Sequence, residues 1–144
     1  MRKLILIIIV LLIGAIIIPL QASITDVTIQ PETPITTDLI SILVSGEESS
    51  GPVQITDSVY DLDSFDITLD LTLEAGLSPV ITPWDYTYDV GLLSEGIYGL
   101  TVNTLVPSMP SRNDTYITSF EVVPEPATVL FFGLGMFLLR GKKD

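Results

Sequence analysis

The chain contains no cysteine and no histidine. Without cysteine it has neither a disulfide framework nor a thiolate nucleophile. Without either residue it cannot build a Cys/His metal site or a Ser-His or Cys-His catalytic pair. Because these side chains are the usual tools of enzymes, the sequence predicts a non-catalytic protein.

Basic residues are also scarce, and they lie almost entirely at the two ends of the chain. Arg112 is the single basic residue between Ser23 and Val122, a segment that holds sixteen acidic residues and so carries a formal charge of −15. Such a surface repels nucleic acid and anionic lipid, and it favours solubility outside a cell. We therefore expect no nucleic-acid partner.

The chain begins with a short basic stretch and a long apolar run. Arg2 and Lys3 precede Leu4 to Leu20, which is almost purely Ile, Leu and Val. This order is typical of a signal peptide read by the general secretion machinery, and we expect residues 1–22 to be removed by cleavage between Ala22 and Ser23. The run is slightly short for a bilayer span but longer than most signal-peptide cores, so a retained signal anchor is the alternative.

The last residues of the chain combine three features in a fixed order. Pro124-Glu125-Pro126 is stiff and extended, because each proline fixes its own φ and disfavours helix at the residue before it. Ala127 to Leu139 is uncharged and almost entirely apolar, and three basic residues follow it: Arg140, Lys142 and Lys143. Basic residues beside both apolar segments place both termini on the cytoplasmic side, so the loop between them lies across the membrane.

This tail resembles the PEP-CTERM sorting signal, which the membrane protease-transpeptidase exosortase processes in exported bacterial proteins. Residues 124–128 match the family's Pro-Glu-Pro followed by a small residue and Thr, and Gly133-Leu134-Gly135 resembles its Gly-x-Gly. The basic end departs from the family pattern, because Gly141 interrupts it and Asp144 follows it. The resemblance implies that residues 124–144 are a sorting address with a transmembrane helix. An ordinary C-terminal membrane anchor is the alternative.

The same resemblance implies a partner, a location and a class of function. Exosortase is the expected partner, and the protein is expected to be a membrane-anchored precursor that later reaches the cell surface or the extracellular space. Relatives with this tail are often encoded in bacteria that make exopolysaccharide, so exopolysaccharide is a further candidate partner. The implied function is that of a cell-surface or extracellular-matrix protein.

The loop between the two apolar segments predicts β-structure. Its clearest strand is Phe65 to Glu74, where five apolar residues alternate without a break with acidic residues and threonine. An extended strand of this period has one buried face and one solvated acidic face. Six shorter segments show similar patterns: Ile24 to Gln30, Leu39 to Ser45, Val53 to Tyr60, Tyr86 to Leu92, Ile97 to Thr104 and Thr115 to Val123.

Seven short strands in about a hundred residues predict an all-β domain over residues 23–123, an immunoglobulin-like antiparallel β-sandwich. A hydrophobic signal helix and a transmembrane helix are expected to flank it. Leu93 to Val102 resembles the Leu-x-x-Gly-x-Tyr-x-Leu-x-Val pattern at the penultimate strand of immunoglobulin-like and fibronectin-like domains. That resemblance implies that Tyr98 caps a corner. A jelly roll or another sandwich topology is the alternative.

One cluster of acids is a candidate metal site. Asp57, Asp61, Asp63 and Asp66 fall around the turn between two predicted strands. Exported β-domains sometimes hold Ca²⁺ at such turns through several carboxylate and carbonyl oxygens, although the spacing matches no EF-hand loop. No other cofactor is expected.

Aromatic residues provide a candidate sugar site. Trp84, with Tyr86 and Tyr88 nearby, is a candidate platform for the apolar faces of a pyranose. The alternative places the two tyrosines in the core or at an edge, with Trp84 beside Pro83 at a turn. A glycan- or calcium-binding adhesion module on the same sandwich is therefore the alternative function.

Overall fold

A computed structural model describes residues 23–49, 51–76 and 80–125. Seven strands follow one another: β1 (Ser23–Gln30), β2 (Ile40–Glu48), β3 (Val53–Asp63), β4 (Asp66–Ala75), β5 (Thr82–Gly91), β6 (Gly96–Leu105) and β7 (Asp114–Val122), with one 3-10 turn, η1 (Pro110–Arg112), before β7. The all-β prediction is confirmed for these residues. The expected signal helix and transmembrane helix lie outside them. Within the described ranges no helix is long and apolar enough to cross a membrane.

The strands form two sheets, one of order β1-β2-β5 and one of order β3-β4-β6-β7. Strand residues alternate between buried and exposed, because successive side chains point to opposite faces of a sheet. The buried apolar residues of both sheets belong to one core: Ile24, Val27, Ile40, Ile42, Val44, Ile67, Leu69, Leu71, Leu73, Trp84, Leu93, Tyr98, Leu100, Val102, Val106 and Val122. Two sheets around one core are consistent with the predicted β-sandwich.

One strand pair departs from the predicted antiparallel arrangement. β4 runs parallel to β6, with Asp66 beside Gly99 and Thr72 beside Leu105. Parallel neighbours need a crossover connection, and here β5 supplies it from the opposite sheet. The prediction of antiparallel pairing is therefore wrong for this pair, although it is correct for the other pairs of named strands.

The strand predicted most clearly is β4, and its first apolar residue behaves differently from the others. Leu69, Leu71 and Leu73 are fully buried, but Phe65 is 49% exposed. Phe65 lies just before β4, after Ser64 in the left-handed region at φ 60°. Its ring packs edge-on against Tyr98, with the ring centroids 5.2 Å apart. Phe65 therefore covers the end of the core instead of lying within it.

The corner residue expected from the resemblance of residues 93–102 is found in the predicted role. The Tyr98 hydroxyl donates a hydrogen bond to the Ser94 carbonyl, four residues earlier, at 3.1 Å. The Tyr98 ring is buried and stacks on Phe120 of β7, with the centroids 5.5 Å apart. Tyr98 thus attaches the loop before β6 to the buried core, as a tyrosine corner does.

β5 begins earlier than the sequence predicted. Pro83 and Trp84 were expected at a turn, but both are strand residues, and Trp84 is buried. Proline is tolerated on edge strands, because one side of such a strand carries no ladder hydrogen bonds, and β5 is an edge strand. β2 likewise extends to Glu48, three residues past the predicted strand end at Ser45.

One open side of the sandwich is closed by tyrosines. Tyr60 of β3 stacks on Tyr88 of β5, with the ring centroids 5.0 Å apart. Beside this pair, the Tyr86 hydroxyl donates to the Ser58 hydroxyl at 2.7 Å. Both contacts join an edge strand of one sheet to an edge strand of the other, so they hold the two layers together.

The two ends of the described chain leave the sandwich at opposite poles. Ser23 pairs with Glu47 near the end of β2, whereas Val123 bridges Ile35, which precedes the start of β2. We call the first end the N pole, which holds Ser23 and the β2–β3, β4–β5 and β6–β7 connections. The second is the C pole, which holds Val123 and the β1–β2, β3–β4 and β5–β6 connections. At about 3.3 Å per strand residue, roughly 30 Å separates them.

Gly46 of β2 provides a test of the packing between the strands. A Cβ at this position would overlap the Trp84 indole and lie 2.7 Å from the Ser23 carbonyl oxygen. Gly46→Ala should therefore lower the free energy of unfolding of residues 23–125 by about 1–3 kcal/mol. Urea denaturation followed by the fluorescence of the single tryptophan measures this.

Gly99→Ala is the matched control. A Cβ there would meet only the Asp66 carboxylate, with its nearer oxygen at 2.7 Å, and that side chain can turn away. Its effect should stay under about 1 kcal/mol. Equal destabilisation by the two substitutions would contradict this account of Gly46.

Tyr60 predicts how stability depends on pH. Burial raises the pKa of the Tyr60 phenol above 10.0, and the nearby Tyr88, Tyr98 and Asp61 raise it further. The folded state therefore holds this proton more tightly than the unfolded chain. The resulting stability is fully present below pH 10.0 and is lost as the pH rises through the folded pKa.

Tyr60→Phe should make the stability of residues 23–125 less sensitive to pH above 10.0. Urea midpoints at neutral and alkaline pH measure the difference. Tyr116→Phe, which removes a phenol from β7 of the same sheet, controls for the loss of one tyrosine hydroxyl. An unchanged alkaline loss in Tyr60→Phe would show that another group causes it.

Candidate sorting site

The predicted sorting motif begins directly after the last strand. β7 ends at Val122, and Pro124 and Glu125 are both exposed. Pro126 and the predicted stop-transfer residues Arg140, Lys142 and Lys143 lie outside the described residues. At the predicted signal cleavage site Ala22 also lies outside them, while Ser23 is the first residue of β1.

Val123, two residues before the glutamate of the motif, is held through both its N–H and its carbonyl group. The Val123 N–H donates to the Pro34 carbonyl at 3.0 Å, and the Thr36 N–H donates to the Val123 carbonyl at 3.1 Å. Asp38 fixes the partner loop, because its carboxylate accepts from the Ile35 N–H and its own N–H donates to the Ile35 carbonyl, each at 2.9 Å. We call residues 34–38 together with Val123 the clamp.

The clamp determines where the free part of the tail begins. Pro124 has no N–H, so it cannot continue the backbone pairing that Val123 makes. Pro124 and Glu125, the part of the motif that the structure describes, therefore leave a fixed point at the C pole and are exposed. That is the form in which an enzyme that reads a short linear motif can bind it. The sequence shows the motif but not the clamp, because the clamp depends on a contact between distant residues.

The four aspartates proposed as a calcium site are not brought together. Asp63 lies opposite Asp66 across the β3–β4 turn, and Asp61 pairs with Thr68. Asp57 lies at a bulge six residues before Asp63, about 20 Å away along an extended strand. In residues 23–49, 51–76 and 80–125 there is no group of three or more acids that could hold a metal ion.

The aromatic residues proposed as a sugar platform have other positions. Trp84 is buried with its indole against Gly46. Tyr86 and Tyr88 are half-buried and make the contacts that close the open side of the sandwich. The three rings therefore do not form one exposed flat surface.

Many acidic side chains on the outer faces bond to neutral donors. Ser41 and Ser45 of β2 donate their hydroxyls to Asp89 and Asp85 of β5, at 2.8 Å and 2.7 Å. On the other sheet, the side-chain amide of Asn103 donates to Asp70 at 2.8 Å, and Thr115 donates to Asn103 at 2.8 Å. These bonds run across the strands, so they support the sheets and leave the charge at the surface.

One charged contact among the described residues is buried, and it was not predicted from the sequence. Arg112 of η1 donates through Nη1 to Oε1 of Glu48 at 2.7 Å. The Glu48 side chain is fully buried, and that of Arg112 is 12% exposed. The pair attaches the β6–β7 connection to the end of β2 at the N pole. The signal in the sequence was the position of Arg112 as the single base among sixteen acids.

Comparison with known proteins identifies the tail. Residues 122–143 match the family model described as the PEP-CTERM protein-sorting motif. The matched stretch begins at the last residue of β7 and includes the exposed Pro124 and Glu125. The C-terminal resemblance is therefore confirmed: the chain carries a PEP-CTERM sorting motif.

The searches for whole relatives of the chain found no match. No curated protein matches it, and neither does any solved structure. The immunoglobulin-like type of the sandwich therefore stays a prediction.

The buried ion pair predicts a large asymmetry between single and double substitutions. Arg112→Met removes the cation beside a fully buried carboxylate and should lower the free energy of unfolding by about 3–5 kcal/mol. Combining Arg112→Met with Glu48→Met should recover most of this loss, since replacing both ions with apolar side chains is often neutral. Urea denaturation of both variants tests the pair. A loss under about 1 kcal/mol in Arg112→Met would show that the contact contributes little.

Proposed function

We propose that the chain is a non-catalytic exported bacterial protein of the cell surface or extracellular matrix, processed by exosortase at Pro124-Glu125-Pro126. The observation that carries the proposal is the sorting motif at residues 122–143, joined without a linker to an all-β module. The acidic, solvated faces of that module suit a protein that acts outside the cell.

Three groups of residues in the tail have different roles. Pro124 and Pro126 keep the recognition segment extended, and Glu125 supplies the charge beside the membrane. Residues 127–139 hold the motif at the membrane, although as a helix they span only about 20 Å, less than a full bilayer. Arg140, Lys142 and Lys143 stop transfer on the cytoplasmic side.

At the other end, residues 1–22 direct the chain to the general secretion machinery and are then removed. Ser23 supports this, because it is already a strand residue at the N pole and only Gln21 and Ala22 separate it from the apolar run. A retained anchor would hold the N pole at the same membrane that holds the C pole through the tail. Cleavage between Ala22 and Ser23 removes that conflict.

For the cargo itself we propose a role in adhesion or in the structure of an extracellular matrix, with exopolysaccharide as the candidate partner. The support is the absence of a convergent acidic and aromatic cluster in the described residues, together with two solvated sheet faces. Neither the positions of the aspartates nor those of Trp84, Tyr86 and Tyr88 favour the calcium- or glycan-site alternative.

Glu125→Ala should block maturation, because it removes the charged group of the motif and leaves the strands and the clamp unchanged. In the native host the variant should accumulate in the membrane fraction as the unprocessed precursor. Intact-mass measurement of membrane and external fractions distinguishes precursor from mature protein.

Glu121→Ala is the matched control, since Glu121 is an exposed acid four residues earlier on β7. It should mature like the unmodified protein. Normal maturation of Glu125→Ala would remove the exosortase assignment, and equal failure of both variants would point to a general loss of acidity or folding.

A further inference from the structure

The C pole exposes several large apolar side chains, although the domain is strongly acidic. Of the ten large apolar side chains that are exposed in the described residues, five lie at this pole: Leu39 (75% exposed), Leu62 (39%), Phe65 (49%), Leu92 (63%) and Ile97 (68%). Exposed apolar groups that cluster at one end of a molecule indicate a contact surface. We call these five residues the apolar rim.

One part of the apolar rim belongs to the three-stranded sheet. Ile40 pairs with Gly91, so Leu39 and Leu92 are the next residues in register beyond that pair. Both lie just beyond the last β2–β5 pair, at the end of the sheet, and no other strand of the described chain covers them.

The other part belongs to the four-stranded sheet. Phe65 lies in the β3–β4 turn, and its ring sits so close to Gly96 that a Cβ there would overlap it. Ile97 follows at the start of β6, and Leu62 lies near the end of β3. The apolar rim thus draws on both layers of the sandwich at one pole.

The same pole is tied closely to the apolar tail. Val123 is fixed by the clamp, and the apolar segment begins at Ala127. Four residue steps span at most about 14 Å, even when fully extended. Once residues 127–139 enter a bilayer, Val123 can therefore lie no more than about 14 Å from the bilayer surface.

We propose that the apolar rim rests on the surface of the membrane that holds the tail, with its side chains inserted among lipid headgroups that carry no net charge. This proposal rests on the proposed function, because it requires the tail to be in a bilayer. Removing apolar side chains from water favours the contact. The short tether raises the effective concentration of the surface, so a contact too weak to bind free vesicles is sufficient.

The acidic residues at the C pole determine which lipid headgroups the apolar rim contacts and how deeply it inserts. Exposed acids lie at or near the same pole: Glu32, Asp61, Asp63, Asp66, Glu95, Glu121 and Glu125. They repel anionic lipid and stay hydrated, so the contact is shallow and prefers zwitterionic lipid. In this orientation the long axis of the sandwich stands on the membrane and the N pole lies roughly 30 Å outward.

The absence of cysteine makes a label test direct. The full chain is produced in a bacterium that has general secretion but no exosortase, purified from the membrane, and reconstituted in phosphatidylcholine vesicles. Single substitutions Leu92→Cys and Ile97→Cys carry an environment-sensitive fluorophore at the apolar rim. Ile81→Cys at the N pole and Ile117→Cys on the outer face of β7 are controls with similar native exposure, 66% and 75%.

The rim labels should shift to the blue and be quenched several-fold more strongly than the control labels by a quencher attached to lipid headgroups. Equal quenching at Ile81→Cys and Leu92→Cys, or no quenching at any site, would overturn the proposal. Retention of residues 1–22 in the purified protein, seen by intact mass, would overturn it too, because the N pole would then be held at the membrane.

Flotation of the vesicles separates this proposal from the proposed function. If the chain does not float with the vesicles, the tail does not insert and the sorting role fails. If it floats and the rim labels stay in water, only the placement of the apolar rim is wrong.

A second variant separates contact from mere proximity through the tether. A fluorophore at Thr37→Cys, an exposed C-pole position, reports the distance of the pole from the lipid. Adding Leu39→Ser, Leu92→Ser and Ile97→Ser should reduce its quenching several-fold, whereas adding Ile81→Ser and Ile117→Ser should not. Unchanged quenching in the rim variant would show that the apolar side chains do not hold the pole, and would overturn the proposal.

Discussion

The structure depends on keeping a strongly acidic chain in a register that points every strand carboxylate but one outward. In β4, Leu69 and Leu71 are fully buried while Asp66 and Asp70 lie on the opposite face. A shift by one residue would exchange these faces and place carboxylates in the core. The exception supports the rule: Glu48, the one buried acid in the described residues, contacts Arg112, the one base between Ser23 and Val122.

Sequence was sufficient where the information is local. Alternation and turn residues predicted all seven strands, and the order of motif, apolar run and basic end predicted the sorting tail. It failed where the answer depends on a distant partner. Buried and exposed side chains alternate in the same way in parallel and antiparallel strands, so the sequence of β4 does not indicate that its neighbour β6 is parallel. Proline indicates the end of a strand only if that strand lies inside a sheet, and the sequence does not show that β5 lies at an edge.

The candidate sites show the same division. Asp57 lies about 20 Å from Asp63 although only six residues separate them, because an extended chain carries residues apart quickly. The clamp joins Val123 to a loop almost ninety residues earlier, so no local pattern announces it, yet it decides where the sorting motif becomes free. Function at the tail is thus specified by sequence, and its placement on the module by the fold.

The parallel pairing of β4 with β6 also has a consequence for the order in which the module can assemble. In a chain that crosses a membrane from its N-terminus, β4 emerges before β5, which joins the opposite sheet. β6, the parallel partner of β4, emerges only after β5. β7 and the Val123 clamp arrive last, immediately before the tail. Since pairing between distant segments closes late in folding, the four-stranded sheet stays incomplete until nearly the whole module has emerged. Translocation therefore handles an open chain, and the arrival of the sorting tail coincides with the completion of the fold.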